Sequence, residues 1–406
     1  MTRRNKGLTS LYTALFALIL IFNGCENPGS VGDDFTNSPV VTFDTLEVKN
    51  TSVLNFEDGY SGNFPFMAMG KYNDQIFGDI DATTFVRPIR NPNIPDSLEI
   101  EGNNFSMKLE VGLDSAQTYG DTLGTASFSV YEITSLWRGT SHRVNDELDY
   151  NEANLIGQFQ VGSEKNILID LADSWKDKYA SYLNNEEDNA DSLYQYEFHG
   201  LAIVPTGSSG KIDFPNASET RFLILNEDQT DTASVPLNNW AYSINRSNVP
   251  QTEGAFPLHT TMESAMRIVF PTEELKQKHS SSNIIKSELI FYSAEENLQN
   301  SLPVNHYRPN INLLGLNQRT VDDDVFEYQL TDPDFIAPII EDSAYFKAPV
   351  NTFVNNALYG EEEQNEMIVG IGSSSGILRS TLIFNSEAPS HKKPKLIITY
   401  IVNEEN

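Results

Sequence analysis

Apolar and polar residues alternate with a period of two through much of this chain, and that alternation limits what it can become. Phe43-Asp44-Thr45-Leu46-Glu47-Val48 alternates, as do Phe105-Ser106-Met107-Lys108-Leu109-Glu110-Val111 and Ala126-Ser127-Phe128-Ser129-Val130-Tyr131-Glu132-Ile133. Successive side chains on a strand point to opposite faces, so each run has one apolar and one polar face. Near the C-terminus, Pro394-Lys395-Leu396-Ile397-Ile398-Thr399-Tyr400-Ile401-Val402 is a β-branched strand. Clusters of Gly, Asn, Asp, Pro and Ser separate the runs. The pattern predicts an all-β chain of antiparallel β-sandwiches, each with one wet face.

Helical signals are few and short. Leu171, Trp175, Tyr179 and Tyr182 fall at helical spacing after Asp170. Asn351 would cap a short helix carrying Phe353, Val354, Ala357 and Leu358 and ending at Gly360. Thr272-Glu273-Glu274-Leu275 would start a single turn. These segments read as crossovers over a sandwich. Gly200 to Gly210 resembles Met367 to Gly376, each an apolar strand running into a Gly/Ser turn and then another strand. The separation is consistent with two related sandwiches in tandem. The expected division is a first sandwich over 43–235 and a second over 236–403.

The N-terminus carries an address. Arg3, Arg4 and Lys6 form a positive region, and Leu8 through Phe22 an apolar run too short for a convincing membrane span. Cys25, the sole cysteine, follows Gly24 at the cleavage point. A small residue just before a cysteine there resembles the lipobox of bacterial lipoproteins, although Phe22 and Asn23 are unusual neighbours. The expectation is a signal peptide over 1–24 and a lipidated flexible tether over 25–42, rich in Gly, Asn, Ser, Pro and Asp. An ordinary signal peptide with an incidental cysteine is the competing reading. With Cys25 acylated no cysteine remains for a disulfide, so stability must come from burial, helped at most by a structural calcium ion.

Charge excludes some functions. The chain has 27 Lys and Arg against 57 Asp and Glu, a net charge of -30. Affinity for nucleic acid comes largely from neutralising phosphates with bases, so nucleic acid is not an expected partner. A broad contact with anionic headgroups is equally disfavoured. The expected membrane partner is the bilayer reached through acyl chains.

The order of several elements resembles the DNRLRE-type β-sandwich, a jelly-roll-like module of secreted and surface proteins, and this resemblance implies that the two tandem antiparallel sandwiches are jelly-roll-like. Val130 to Trp137 looks like its strand ending in Trp, and Ile167-Leu168-Ile169-Asp170-Leu171 with Trp175 like its aspartate-led helix. Gly200-Leu201-Ala202-Ile203 looks like the Gly-Leu strand, and Pro394 to Tyr400 like the closing run. Neither half carries the complete set. Met69 to Gly78 also resembles a motif of uncharacterised Bacteroidota surface lipoproteins. Some DNRLRE-type modules are linked to glycan binding, so the resemblance implies a polysaccharide ligand.

Candidate chemistry is sparse. Asp74, Asp79 and Asp81 lie in a turn-rich region and offer the hard oxygen ligands calcium takes, without EF-hand spacing. Asp322 to Asp324 with Asp332 and Asp334 form a second acidic cluster. A solvated, self-repelling loop is the plainer explanation of each. Trp240 and Tyr242 lie in a polar segment where rings would stack on sugars, or else pack at a domain interface. Trp137 and Trp175 should point inward. No zinc spacing occurs among the six histidines, and no Gly-x-Ser-x-Gly elbow is present. The expected function is therefore that of an outer-membrane lipoprotein, facing the periplasm or the cell surface. Its role would be non-catalytic: binding a polysaccharide, or serving in a surface protein complex. The alternative is a carbohydrate-active hydrolase or lyase whose paired carboxylates the sequence alone does not single out.

Overall fold

The computed structural model describes residues 40–402 except 49, 56–58, 103, 208–209, 262, 296–297, 299–300, 308–312, 321–333, 341–343, 361–363 and 373–374. The expected signal, Cys25 and most of the expected tether lie outside the described residues, as do Asp322 to Asp324 and Asp332.

The chain is all-β with short helices. Its first strands are β1 (Val40–Glu47), β2 (Asn50–Asn55), β3 (Met69–Asp74), β4 (Gly78–Pro88), β5 (Phe105–Gly112), β6 (Tyr119–Gly120), β7 (Ala126–Ile133), β8 (Tyr150–Val161), β9 (Asn166–Asp170), β10 (Leu201–Thr206), β11 (Lys211–Asp213), β12 (Arg221–Asn226) and β13 (Thr232–Ser247). There follow β14 (Ala255–His259), β15 (Ser264–Val269), β16 (Asn283–Tyr292), β17 (Leu313–Thr320), β18 (Phe335–Ala337), β19 (Ile339–Ile340), β20 (Tyr345–Pro349), β21 (Gln364–Gly372), β22 (Ser380–Phe384) and β23 (Lys395–Val402). The helices are α1 (Asp173–Leu183), α2 (Ala190–Glu197), α3 (Thr272–His279) and α4 (Asn351–Tyr359).

One sandwich is built from β3 to β13. One of its layers holds β9, β5, β12 and the start of β13; the other holds the rest of β13 with β4, β3, β10, β7 and β8. The strand β13 passes between layers at a register shift between Leu237 and Asn239. A bulge re-aims the alternation. Ala233, Val235 and Leu237 point into the core before it, and Tyr242 and Ile244 after it. At one end of this core α1 and α2 pack an aromatic group: Trp175 stacks on Phe222 at 5.4 Å, and Tyr194 on Phe198 at 5.1 Å.

The other sandwich has sheets in the order β1-β23-β16-β20-β19 and β18-β17-β21-β15-β2, with the pair β14-β22 beside them. Leu46, Leu289, Phe291, Leu396 and Ile398 from one sheet meet Met266, Ile268, Leu316, Met367 and Val369 from the other. The helix α4 buries Phe353, Val354 and Ala357 and stops at Gly360, as its spacing predicts, while α3 extends beyond a single turn to eight residues.

The expected division of the chain differs from this arrangement. Val40 pairs with Val402 and Glu47 with Lys395, and β2 pairs with β15. The β3–β13 sandwich is thus inserted between β2 and β14 of the other, so the two are not laid end to end. The expected boundary at 235/236 falls inside β13, and positions 40–42 of the expected tether are the start of β1. Local alternation identified these strands but carries no information about pairing partners so distant in sequence.

Candidate functional site

The two sandwiches are joined by a network of buried polar groups. Arg246 of β13 makes a two-pronged pair with Glu263, with Nη2 donating to Oε1 at 3.0 Å, and its Nη1 donates to the Phe77 carbonyl at 2.9 Å. Thr261 donates to Glu263 at 2.6 Å. Burial raises the Glu263 carboxyl, but Arg246, His259 and the hydrogen bonds outweigh it and hold the carboxyl at about 2. His259 sits 2.8 Å from Ser380 through Nδ1, and burial, with Arg246 beside it, drives it down to about 3. Ile76 and Phe77 form a small core with Ala255 and Leu382 across the junction. Arg379 reaches Gln117, and Asn305 donates to the Thr118 carbonyl at 2.6 Å. At Gly376 the backbone has φ +82°, and a Cβ would collide with the Phe66 carbonyl. Only glycine lets the two cores approach so closely there.

Above Arg246 and Glu263 lies a half-open cleft of about 1280 Å³. One wall is the outward face of the β3, β4 and β13 ladder. Alternation places Lys71, Asp81, Thr83, Ser243 and Asn245 there, with Asp81 opposite both Lys71 and Asn245 in register. Lys71 pairs with Asp81 at 2.7 Å. Tyr150, stacked on Tyr131 at 5.5 Å, closes one side with Asn145 and Glu147. The opposite wall is the connection from Val249 to Pro257, with Asn385 and Glu387. Among the described residues, five carboxylates line the space against Lys71, Arg246 and the uncharged His259. Burial and then the neighbouring carboxylates, Glu152, Asp81 and Glu147 among them, raise the Tyr150 hydroxyl above its ordinary value.

The one buried acid of the cleft, Glu263, is held ionised by Arg246 and has no proton to give a leaving group at neutral pH. Ser380 beside His259 is fully buried and does not line the cleft, so its hydroxyl does not meet a substrate. The exposed Glu147, Glu253 and Glu387 offer acceptors to hydroxyl or ammonium groups, and Asn145 and Asn245 offer amides.

The residues singled out from sequence are distributed differently. Tyr242 is 2% exposed, and Trp240 packs on the same core while its Nε1 donates to the Phe64 carbonyl at 2.6 Å. Burial removes Tyr242 from the expected pair of sugar-stacking rings, while Trp240 is half-buried with its ring packed on the same core. Asp74 accepts from the Ile76 and Phe77 amides at 2.8 and 3.0 Å and from the Tyr119 hydroxyl at 2.9 Å. Asp79 accepts from Asn248 at 2.7 Å, and Asp81 pairs with Lys71. Each carboxylate is engaged by its own partner, and among the described residues no three metal-ligating side chains are grouped. The expected calcium site is thus not assembled by these three. Trp137 and Trp175 are buried, as their positions predict. Tyr150, Arg246 and Glu263 went unrecognised, since only pairing across the junction brings them together. Alternation along β4 was the available signal for Asp81.

No protein-family model matches the chain, so the likeness to DNRLRE-type modules gains no support there. No curated protein sequence matches it either. Among solved structures, a protein from Parabacteroides distasonis assigned as secreted aligns over 88% of this chain and 99% of its own, at 9% identity and a TM-score of 0.23. The C-terminal domain of the antigen I/II-family protein AspA of Streptococcus pyogenes aligns over 84% and 92%, at 7% identity and a TM-score of 0.14. Likenesses this slight carry no argument about function.

Proposed function

We propose that this chain is an exported lipoprotein of the outer membrane, anchored through Cys25, that binds a hydroxyl-rich polymer such as a polysaccharide segment in the cleft without catalysis. The cleft carries the reading. It exceeds the roughly 300–1,000 Å³ of ordinary small-molecule sites and is half-open, as a segment of polymer requires. Its wall combines the ring of Tyr150 with the amides of Asn145 and Asn245 and free carboxylates, groups that meet the apolar faces and hydroxyls of sugars. The anchor rests on the N-terminal sequence. Among the described residues no helix is long and apolar enough to cross a membrane.

The test is a glycan array and calorimetry with the purified chain lacking its signal, alongside Tyr150→Ala and Asn245→Ala. The proposal expects a bound glycan and at least a tenfold loss of affinity in each variant. The absence of any bound glycan, or unchanged affinity in Tyr150→Ala, refutes the cleft. For the anchor, Cys25→Ala should move the protein from the membrane fraction to the soluble one; unchanged fractionation refutes lipidation.

A further inference from the structure

Burial and charge disagree at the far end of β4. Arg87 is 2% exposed, and among the described residues its Nε and Nη1 have no hydrogen-bond partner. Its guanidinium lies over the Tyr194 ring, 5.8 Å from the centroid, while the Tyr194 hydroxyl donates to the Pro88 carbonyl. Burial lowers the Arg87 pKa, Tyr194 beside it acts the other way, and a second cation, Arg138, lowers it further. His199 lies alongside, since Gly200 approaches so near that a Cβ there would come within 2.9 Å of the Arg87 Cα. The Trp137 Nε1 donates to the His199 carbonyl at 2.7 Å and fixes that backbone. The His199 Nδ1 is likewise buried and without a partner among the described residues. Burial, then Arg87 and Lys178, disfavour its protonation, and the acid that acts on it, Glu132, is already paired with Lys178 at 2.5 Å.

A buried cation without a counter-charge is strongly unfavourable. It is more notable in a chain with 57 acids and 27 bases, where an acid would be the commoner neighbour. We propose that Arg87, with Arg138 and His199, forms a binding site for a small oxyanion or the carboxylate group of a ligand. Arg138 is exposed and close enough to act on the buried Arg87. The group admitted is small, because the unpartnered nitrogens have almost no surface of their own. Guanidinium is the side chain best shaped for carboxylate and phosphate-like oxygens. None of these residues lines the cleft, so the site stands independently of the proposed polymer site.

The test is thermal unfolding of the chain lacking its signal, at constant ionic strength, with chloride replaced stepwise by sulfate, phosphate or acetate. The wild type should show a saturable rise in Tm in at least one arm. Sulfate or phosphate identifies an oxyanion, and acetate a carboxylate. Arg87→Met should lose that rise and melt higher than the wild type in chloride alone, since it removes the uncompensated charge. Arg138→Ala, an exposed change that leaves the core intact, should raise the half-saturating concentration about tenfold. It decides the matter if Arg87→Met does not fold. A wild type with no saturable rise in any arm, or one whose rise is matched by Arg138→Ala in every arm, overturns the site.

Discussion

The Arg246–Glu263 pair allows a quantitative test of what joins the sandwiches. Both side chains are at least nine-tenths buried, at 7% and 10% exposure. Glu263→Gln keeps the shape and removes the charge, leaving Arg246 buried beside a neutral amide. Breaking a buried pair by removing one partner costs about 3–5 kcal/mol. The titration gives a consistent figure: the Glu263 carboxyl falls from 4.5 to about 2 on folding, a shift equivalent to about 3 kcal/mol. Because the folded pKa is depressed, this stabilisation is fully present above pH 4.5 and is lost as pH falls toward 2. The assay is urea unfolding at pH 7, followed by far-UV circular dichroism and tryptophan fluorescence. We expect Glu263→Gln to lower the unfolding free energy by about 3 kcal/mol. The double variant Arg246→Met/Glu263→Met removes both charges, and it should recover most of that loss. A single variant costing less than about 1 kcal/mol, within the range of an exposed pair, would refute the reasoning. So would a double variant less stable than the single one.

Three further outcomes follow from the same structure. Burial lowers His142 to about 4 and His259 to about 3, so both stay neutral when folded while their unfolded forms protonate below about 6.5. The unfolded state then binds more protons, and stability should fall between pH 6 and pH 4 by up to about 2.7 kcal/mol per unit; denaturation curves that coincide at pH 7 and 4.5 would contradict this. Gly376→Ala should destabilise by more than about 1 kcal/mol, through positive φ and the collision with the Phe66 carbonyl; a melting temperature unchanged from wild type would show that the junction yields there. Trp175→Ala opens a cavity among Tyr179, Phe198 and Phe222 and should cost about 3–5 kcal/mol in chemical denaturation, with a loss below 1 kcal/mol counting against a packed aromatic core.

How much of this was legible depends on the range of each signal. The alternation in Phe105 to Val111 and Ala126 to Ile133 is local and identifies β5 and β7 almost residue for residue. Trp175 and Tyr179 gave away α1 by spacing. The neighbouring α2 did not show itself, because Tyr194 is its one large buried side chain. Insertion of one sandwich into the other was illegible, since Val40 and Val402 each read as a strand residue and nothing local says that they pair. Tyr242 was misplaced because the polarity of its segment does not register the bulge that turns it into the core. The cleft needed both sandwiches in place: Asp81 and Lys71 come from one, Glu263 and Glu387 from the other, and Arg246 bridges them.

The insertion also sets an order for self-assembly. The outer sandwich is incomplete until its last strand, β23, is available to pair with β1, the first. The inserted sandwich needs neither of them, and its own core can condense while the outer strands wait. Once condensed, it holds the end of β13 against β4, replacing a long flexible loop between β2 and β14 with a short rigid one. Closing a loop costs entropy that grows with its length, and distant pairings form slowly. On this topology the guest module would act as a template for its host, shortening the loop that must close before β1 and β23 pair.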